Sequence, residues 1–257
     1  MINVSEGRDL RAVDAISAAA GDCLLDVHTD PHHHRSVLTL AGAAVQDAAR
    51  ALATEAVRRL DVRHHAGAHP RLGVVDVVPF VALSGAPEAD AVAARDLFAR
   101  WAAHDLGLPC FLYGPERSLP DVRRSAFAGL MPDVGPPAPH PTAGATCVGA
   151  RPVLVAYNLW LTGEPAEARR VAAAVRSTQM RALGLDVGGR AQVSMNLVDP
   201  LVVGPAQAYD TVAALTAVDG AELVGLVPEA VLAAVAPSRW AALDLDPSRT
   251  IEARLRG

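Results

Sequence analysis

In the second half of the chain, apolar positions switch between a period of two and a period of about 3.6, and each switch marks an element. Residues 151–161 alternate and run apolar like a strand. Residues 164–176 carry helical spacing, opened by Thr162-Gly163-Glu164-Pro165. Met180 to Val187 and Ala191 to Val198 predict two strands joined by Gly188-Gly189, Gly204 to Val218 a helix, and Ala221 to Val227 a last strand. The order β-α-β-β-α-β is the split, ferredoxin-like arrangement.

The first half repeats much of this pattern. It predicts a helix over 8–20, strands over 23–28 and 35–41, a helix over 43–60, a strand over 73–81, a helix over 88–104 and a strand over 109–113. Only Met1 to Val4 remain for its first strand. Between the halves, Gly135-Pro136-Pro137-Ala138-Pro139-His140-Pro141-Thr142-Ala143-Gly144 reads as a stiff connector. The expected organisation is therefore an α/β (α+β) chain of two split βαβ subdomains, residues 1–136 and 145–257, with a Pro-rich linker at 137–144. A cleft where two such units meet is a common place for a small ligand.

Composition narrows the chemistry. With 257 residues and 51% hydrophobic content, the chain can bury a substantial core. No run of about 18 apolar residues and no basic-then-apolar leader occurs, which predicts a cytoplasmic protein without a membrane partner. The net charge of -5 and the lack of a basic block argue against a nucleic-acid surface. All 23 basic residues are arginine. Without a lysine amine, Schiff-base chemistry, pyridoxal phosphate anchoring and the usual phosphate-loop lysine drop out. Guanidinium is also the preferred bidentate partner of carboxylates, so a carboxylate-rich substrate suits this chain. Cys23, Cys110 and Cys147 lie far apart and read as buried thiols rather than a zinc or dithiol centre.

The segment His65-Ala66-Gly67-Ala68-His69-Pro70-Arg71-Leu72-Gly73, running into Val74-Val75-Asp76-Val77-Val78-Pro79-Phe80, is the densest in candidate chemistry. It sets a proton-carrying imidazole and a cation on a glycine-bracketed loop beside an apolar strand. Asp76 interrupts that strand and, if buried, needs a partner among His65, His69 or an arginine. Alternatively it faces water on a half-exposed strand. Asn158 and Asn196 sit in apolar strands, where an amide either reads a polar ring edge or bridges strands. Tyr157 and Trp160 stack on a ring or fill the core.

Around these residues the chain resembles the formiminotransferase family. Its members carry His-x-Gly-x-His-Pro-Arg-x-Gly-x-x-Asp-Val-x-Pro-Phe, matched from His65 to Phe80. Asn3-Val4-Ser5-Glu6-Gly7, Leu24-Leu25-Asp26 with Arg35-Ser36-Val37, Leu112-Tyr113-Gly114, Pro132-Asp133-Val134-Gly135-Pro136, the stretch from Gly144 to Arg151, Ala156-Tyr157-Asn158, Ser194-Met195-Asn196-Leu197 and the stretch from Glu222 to Pro228 resemble further family blocks in the same order. The resemblance implies two subdomains with a folate tunnel between their sheets. It also implies tetrahydrofolate as co-substrate and transfer of a formimino group from formiminoglutamate, a step of histidine degradation. His69 aligns with the family's catalytic histidine and would act as general acid/base, with Arg71 holding a glutamate carboxylate or forming a structural salt bridge, and Asp76 orienting a histidine. Arg35 matches a family position beside the tunnel and would recognise a carboxylate or the pteridine; His28, His34, Asn158 and Asn196 are this sequence's own further candidates for cofactor binding. A homodimer is implied because the family forms them. Relatives carry several residues ahead of the position of Asn3, so either Met1 is an internal start or a strand has been trimmed. The chain also ends too early for a cyclodeaminase domain.

The departures from the family pattern bear on the substrate. His28 stands where members carry an acidic residue, His34 where they carry Asn, and Ala68 where Glu is common. A relative recruited to another formimino or formyl transfer would look like this. Seven of the nine histidines fall within residues 28–69, which raises a metal-dependent reading. Three consecutive histidines on an extended segment point to alternating faces and chelate poorly, and no metal site is assigned. A non-catalytic folate-binding relative is the remaining alternative.

Overall fold

The structure, a computed structural model, describes residues 1–67, 71–83 and 85–256. Contacts divide the chain into two compact units, Met1–Pro152 and the remainder from Val153. In the first unit, β1 (Ile2–Val4), β2 (Leu24–Asp30), β3 (Arg35–Leu40), β4 (Val75–Phe80), β5 (Cys110–Tyr113) and β6 (Thr146–Ala150) form one sheet in the order β2-β3-β1-β4-β6-β5. The antiparallel part, β4-β1-β3-β2, is the order expected of a split βαβ unit, and β6 and β5 extend it in parallel. The short stretch at the amino terminus is therefore a full member of the sheet, paired on both sides.

Helices α1 (Leu10–Ala18), α2 (Val45–Arg59) and α3 (Glu88–Asp105) cover one face of this sheet. Asp9 starts α1 by accepting from the N–H groups of Arg11 and Ala12. Ile2, Val4, Leu38, Leu52, Val78 and Phe98 fill the layer between sheet and helices. On the other face a smaller cluster of Val77, Phe111, Tyr113 and Cys147 packs against Val122 of the short helix α4 (Leu119–Ser125).

The second unit has β7 (Val155–Leu161), α5 (Pro165–Val175), β8 (Met180–Val187), β9 (Arg190–Leu197), α6 (Pro205–Ala213) and β10 (Val218–Val224). Its sheet is antiparallel throughout, in the order β10-β7-β9-β8. Tyr157, Leu159, Val171, Met195, Leu197 and Leu223 form its core. The expected α/β arrangement of two split βαβ units is thus the observed one.

Three expectations from the sequence pattern differ from the structure. The Pro-rich 137–144 stretch does not separate the units; bridges of Gly144 to Gly73 and of Val134 to Cys110 tie this region into the first unit. The segment that follows it is β6, which pairs with β4 and β5 of the same unit. Proline here stiffens a loop that returns to its own sheet. Lastly, α6 ends at Ala213 and β10 begins at Val218, because Val218 already pairs with Leu161.

Gly184 lies where β8 passes beneath α5, and a Cβ there would overlap the backbone of Ala168 and Arg169. Neither backbone can yield without lifting the helix. Gly184→Ala is expected to destabilise the protein by about 1–3 kcal/mol, read as a lower urea midpoint with an unchanged slope.

Candidate functional site

Cross-strand register assembles the site in the first unit. His28 pairs with Val37, Asn3 with both Val37 and Val77, and Val77 with Cys147. Directly paired residues share a face, so this row runs across the sheet on the side away from α1–α3. Arg35, two residues before Val37, shares that side. Its Nε donates to Asn3 Oδ1 at 3.0 Å and its Nη2 bonds the same oxygen, while Asn3 Nδ2 donates to the Val77 carbonyl at 3.4 Å. Asn3 thus orients Arg35 from the middle of the sheet.

Asp76 is 1% exposed. Its carboxylate accepts from Arg123 Nη2 at 2.6 Å and from the N–H of Leu72 at 2.8 Å. Of the partners foreseen for it, the arginine is the one observed. Arg123 reaches it from α4, whose start is fixed by a capping box in which Ser118 and Asp121 satisfy each other's backbone N–H. Arg35 and Arg71 lie close enough for Asp76 to favour, and for Arg123 to oppose, their charged forms. Burial, with repulsion from Arg123 and Arg71, brings the Arg35 pKa down to about 10. Beneath them the Tyr113 hydroxyl is pushed up to about 12 by burial. Burial also raises the Cys147 and Cys110 thiols, so neither is a thiolate, while Cys23 is half-buried.

The loop leading toward His69 is held from several sides. His34 Nε2 lies 3.0 Å from Glu6 Oε1, and its Nδ1 lies 3.2 Å from the Ala66 carbonyl. The His65 ring stacks on His34 with centroids 3.9 Å apart; its Nε2 lies 2.8 Å from the His34 carbonyl and its Nδ1 meets Arg71 Nη1. His69 and Ala68 lie outside the described residues. Of the consecutive histidines, His32 is exposed and His33 is buried against Asp30 at 2.5 Å. Burial raises the Asp30 pKa, but the bonds from the His33 ring and the N–H groups of His33 and His32 outweigh it and hold the group at about 2. No group of three or more His, Cys, Asp or Glu suited to a metal occurs among the described residues.

In the second unit, Asn158 donates to Glu222 Oε2 at 3.1 Å, a bridge from β7 to β10, and Asn196 is exposed on β9. Tyr157 belongs to the core and donates its hydroxyl to the Leu243 carbonyl at 2.9 Å, so it is not placed to stack on a ligand. Trp160 lies under the Arg190 guanidinium, 4.4 Å from the ring centre. Sequence reasoning overlooked Arg123 and Glu6. The capping box was legible, but Asp76 and Arg123 are 47 residues apart, and no local pattern links them.

Removing the charge of Asp76 leaves Arg123 buried without its carboxylate. Asp76→Asn is expected to cost about 3–5 kcal/mol, whereas replacing Asp76 and Arg123 together by apolar residues of similar volume should cost less than Asp76→Asn alone. Urea unfolding of the three proteins measures both differences.

Residues 1–151 match the family model of the formiminotransferase domain, N-terminal subdomain. The chain is 34% identical to a glutamate formimidoyltransferase of Streptococcus pyogenes serotype M1 over 97% of its own length and 95% of the relative's. It is 35% identical to a glutamate formimidoyltransferase of Thermoplasma acidophilum, covering 91% and 89% of the two chains. It is also 34% identical to a formimidoyltransferase-cyclodeaminase of Sus scrofa over 88% of this chain, which spans 49% of that longer protein. A match over most of the chain, with the Arg35–Asn3 and Asp76–Arg123 pairs built into the matched subdomain, places this protein in the formiminotransferase family of transferases.

Proposed function

We propose that this protein transfers a formimino group between formiminoglutamate and tetrahydrofolate, with His69 as general acid/base. The observation that carries the reading is the cation cluster of Arg35, Arg71 and Arg123 around Asp76, in the unit that also bears the His-x-Gly-x-His-Pro-Arg segment. Burial and mutual repulsion hold Arg35 below its ordinary pKa, and a substrate carboxylate bound beside it would offset both. The relatives named glutamate formimidoyltransferase, aligned almost end to end, support the same donor.

In this reaction a ring amine of the folate adds to the amidine carbon and the bond from that carbon to the glutamate nitrogen breaks. His69 takes the proton released by the attacking amine and returns it to the departing nitrogen, a two-way role suited to imidazole near neutrality. Arg35 and Arg71 bind and orient carboxylates, and Asp76 holds Arg123 and moderates the charge of all three. His28, in the same sheet row as Asn3, presents a further polar group on the ligand side. His34 engages both ring nitrogens within the protein, on Glu6 and the Ala66 carbonyl. We read the protein further as a cytoplasmic homodimer acting in histidine degradation; no helix among the described residues is long and apolar enough to cross a membrane.

A titration with 5-formyltetrahydrofolate followed by turnover with formiminoglutamate and tetrahydrofolate tests this reading. His69→Ala is expected to lower kcat by about 10²–10⁴-fold while folate binding persists. Arg35→Met should raise KM for the carboxylate substrate by about 10–100-fold, the loss of a charge-assisted hydrogen bond. Folate binding without turnover in the unmodified protein would instead favour a different donor or acceptor, as the departures at His28, His34 and Ala68 suggest. Undiminished turnover in His69→Ala would remove the assigned role.

A further inference from the structure

His34 ends the turn between β2 and β3 with φ at 51°, in the left-handed region that a side chain rarely adopts. From there its ring bridges two other segments, the turn before α1 through Glu6 and the loop toward His69 through Ala66. Both partners are acceptors. Glu6 is ionised: burial opposes its charge, but N–H groups of Arg8, Asp9 and Gly7 bond its carboxylate and His34 adds attraction, so its pKa lies below the usual range. A neutral imidazole has one N–H and can serve one of these oxygens, whereas an imidazolium serves both.

The stacked ring has the opposite requirement. His65 Nε2 faces the His34 carbonyl and so carries a proton; its Nδ1 faces the Arg71 guanidinium, which can only donate, and so must accept. A second proton on His65 would set N–H against N–H and a cation beside Arg71 and His34. One charged ring on one neutral ring would satisfy both sets of partners and avoid repulsion across the 3.9 Å stack. Gly67 lets the loop come this close, since a Cβ there would press on the His33 carbonyl, His34 Cβ and the Arg71 guanidinium. Besides Glu6, His65 and Arg71, the charged neighbours are the Asp30–His33 pair and Arg35 in the same turn and strand, with Arg8 acting on Arg71.

We propose that His34 is a positioning residue for the transfer reaction: as an imidazolium bonded to Glu6 and to the Ala66 carbonyl, it pins the segment leading into His69, while neutral His65 stacked on it orients Arg71. The inference rests on the reading of His69 as acid/base, and extends it to a residue that departs from the family pattern. No contact of His34 with substrate is involved.

Nitrogen-15 NMR of the imidazole rings in the whole protein, joined to hydrogen exchange and kinetics of His34→Gly, tests the proposal. Glycine accepts the positive φ without strain, so this variant removes the ring while easing the backbone. At the assay pH, both His34 ring nitrogens should show protonated shifts, and His65 should show a bare Nδ1. In His34→Gly, amide exchange at residues 65–67 and at 71 and 72 should accelerate about tenfold or more with β4 and α2 unchanged. The kcat should fall on the order of ten- to a hundredfold with KM little altered. His34→Asn, which keeps one donor, should recover part of both. A His34 ring with one bare nitrogen, or wild-type loop exchange in His34→Gly, overturns the proposal. If His34→Gly unfolds, the ring shifts of the unmodified protein decide. If the protein has no formimino transfer at all, ring shifts and exchange still judge the clamp, and only the role of His69 falls.

Discussion

A carboxylate withdrawn from water must be surrounded by donors, and Asp76 imposes that condition on the chemistry-bearing side of the first unit. It requires Arg123, which requires α4 to be capped and docked, and it draws on the backbone N–H of Leu72 at the end of the loop that follows His69. With one negative charge fixed there, Arg35 and Arg71 can be held nearby despite their mutual repulsion. The result is a set of cations drawn from three segments, Arg35 on β3, Arg71 ahead of β4 and Arg123 on α4, gathered about one buried carboxylate. Under the proposed function, cations already held by partners bind a substrate carboxylate with little ordering cost.

What the sequence disclosed and what it concealed follow from the range of each interaction. The second unit was legible almost element by element, since α5 buries one face at helical spacing and β7, β8 and β9 are apolar runs set off by glycine and proline turns. β6 was hidden because all five of its residues are buried, so Thr146-Cys147-Val148-Gly149-Ala150 shows no alternation. The glycine within it admits the Tyr113 ring, which a Cβ would displace. The Pro-rich segment before β6 resembled a linker because composition reports stiffness, not destination.

At the site, the demand of Asp76 for a partner was readable from one strand, but the identity of Arg123 was set by tertiary packing. His34 shows the opposite limit. It stands in a run of three histidines whose spacing distinguishes none of them, and its hydrogen bonds to Glu6 and Ala66 come from distant segments. The neighbouring His65 is held by the His34 carbonyl and by Arg71. Spacing in a sequence can collect histidines in one region; only their partners decide which ring carries charge.

Under the proposed function, the cations around Asp76 and the chain segment that carries His69 serve formimino transfer to a reduced folate. The most direct measurement is the release of glutamate from formiminoglutamate by the unmodified protein, with and without tetrahydrofolate. Release that depends on tetrahydrofolate, with the one-carbon unit recovered on the folate, is the predicted result. Folate-independent release, or none at saturating concentrations of both compounds, would rule out that function.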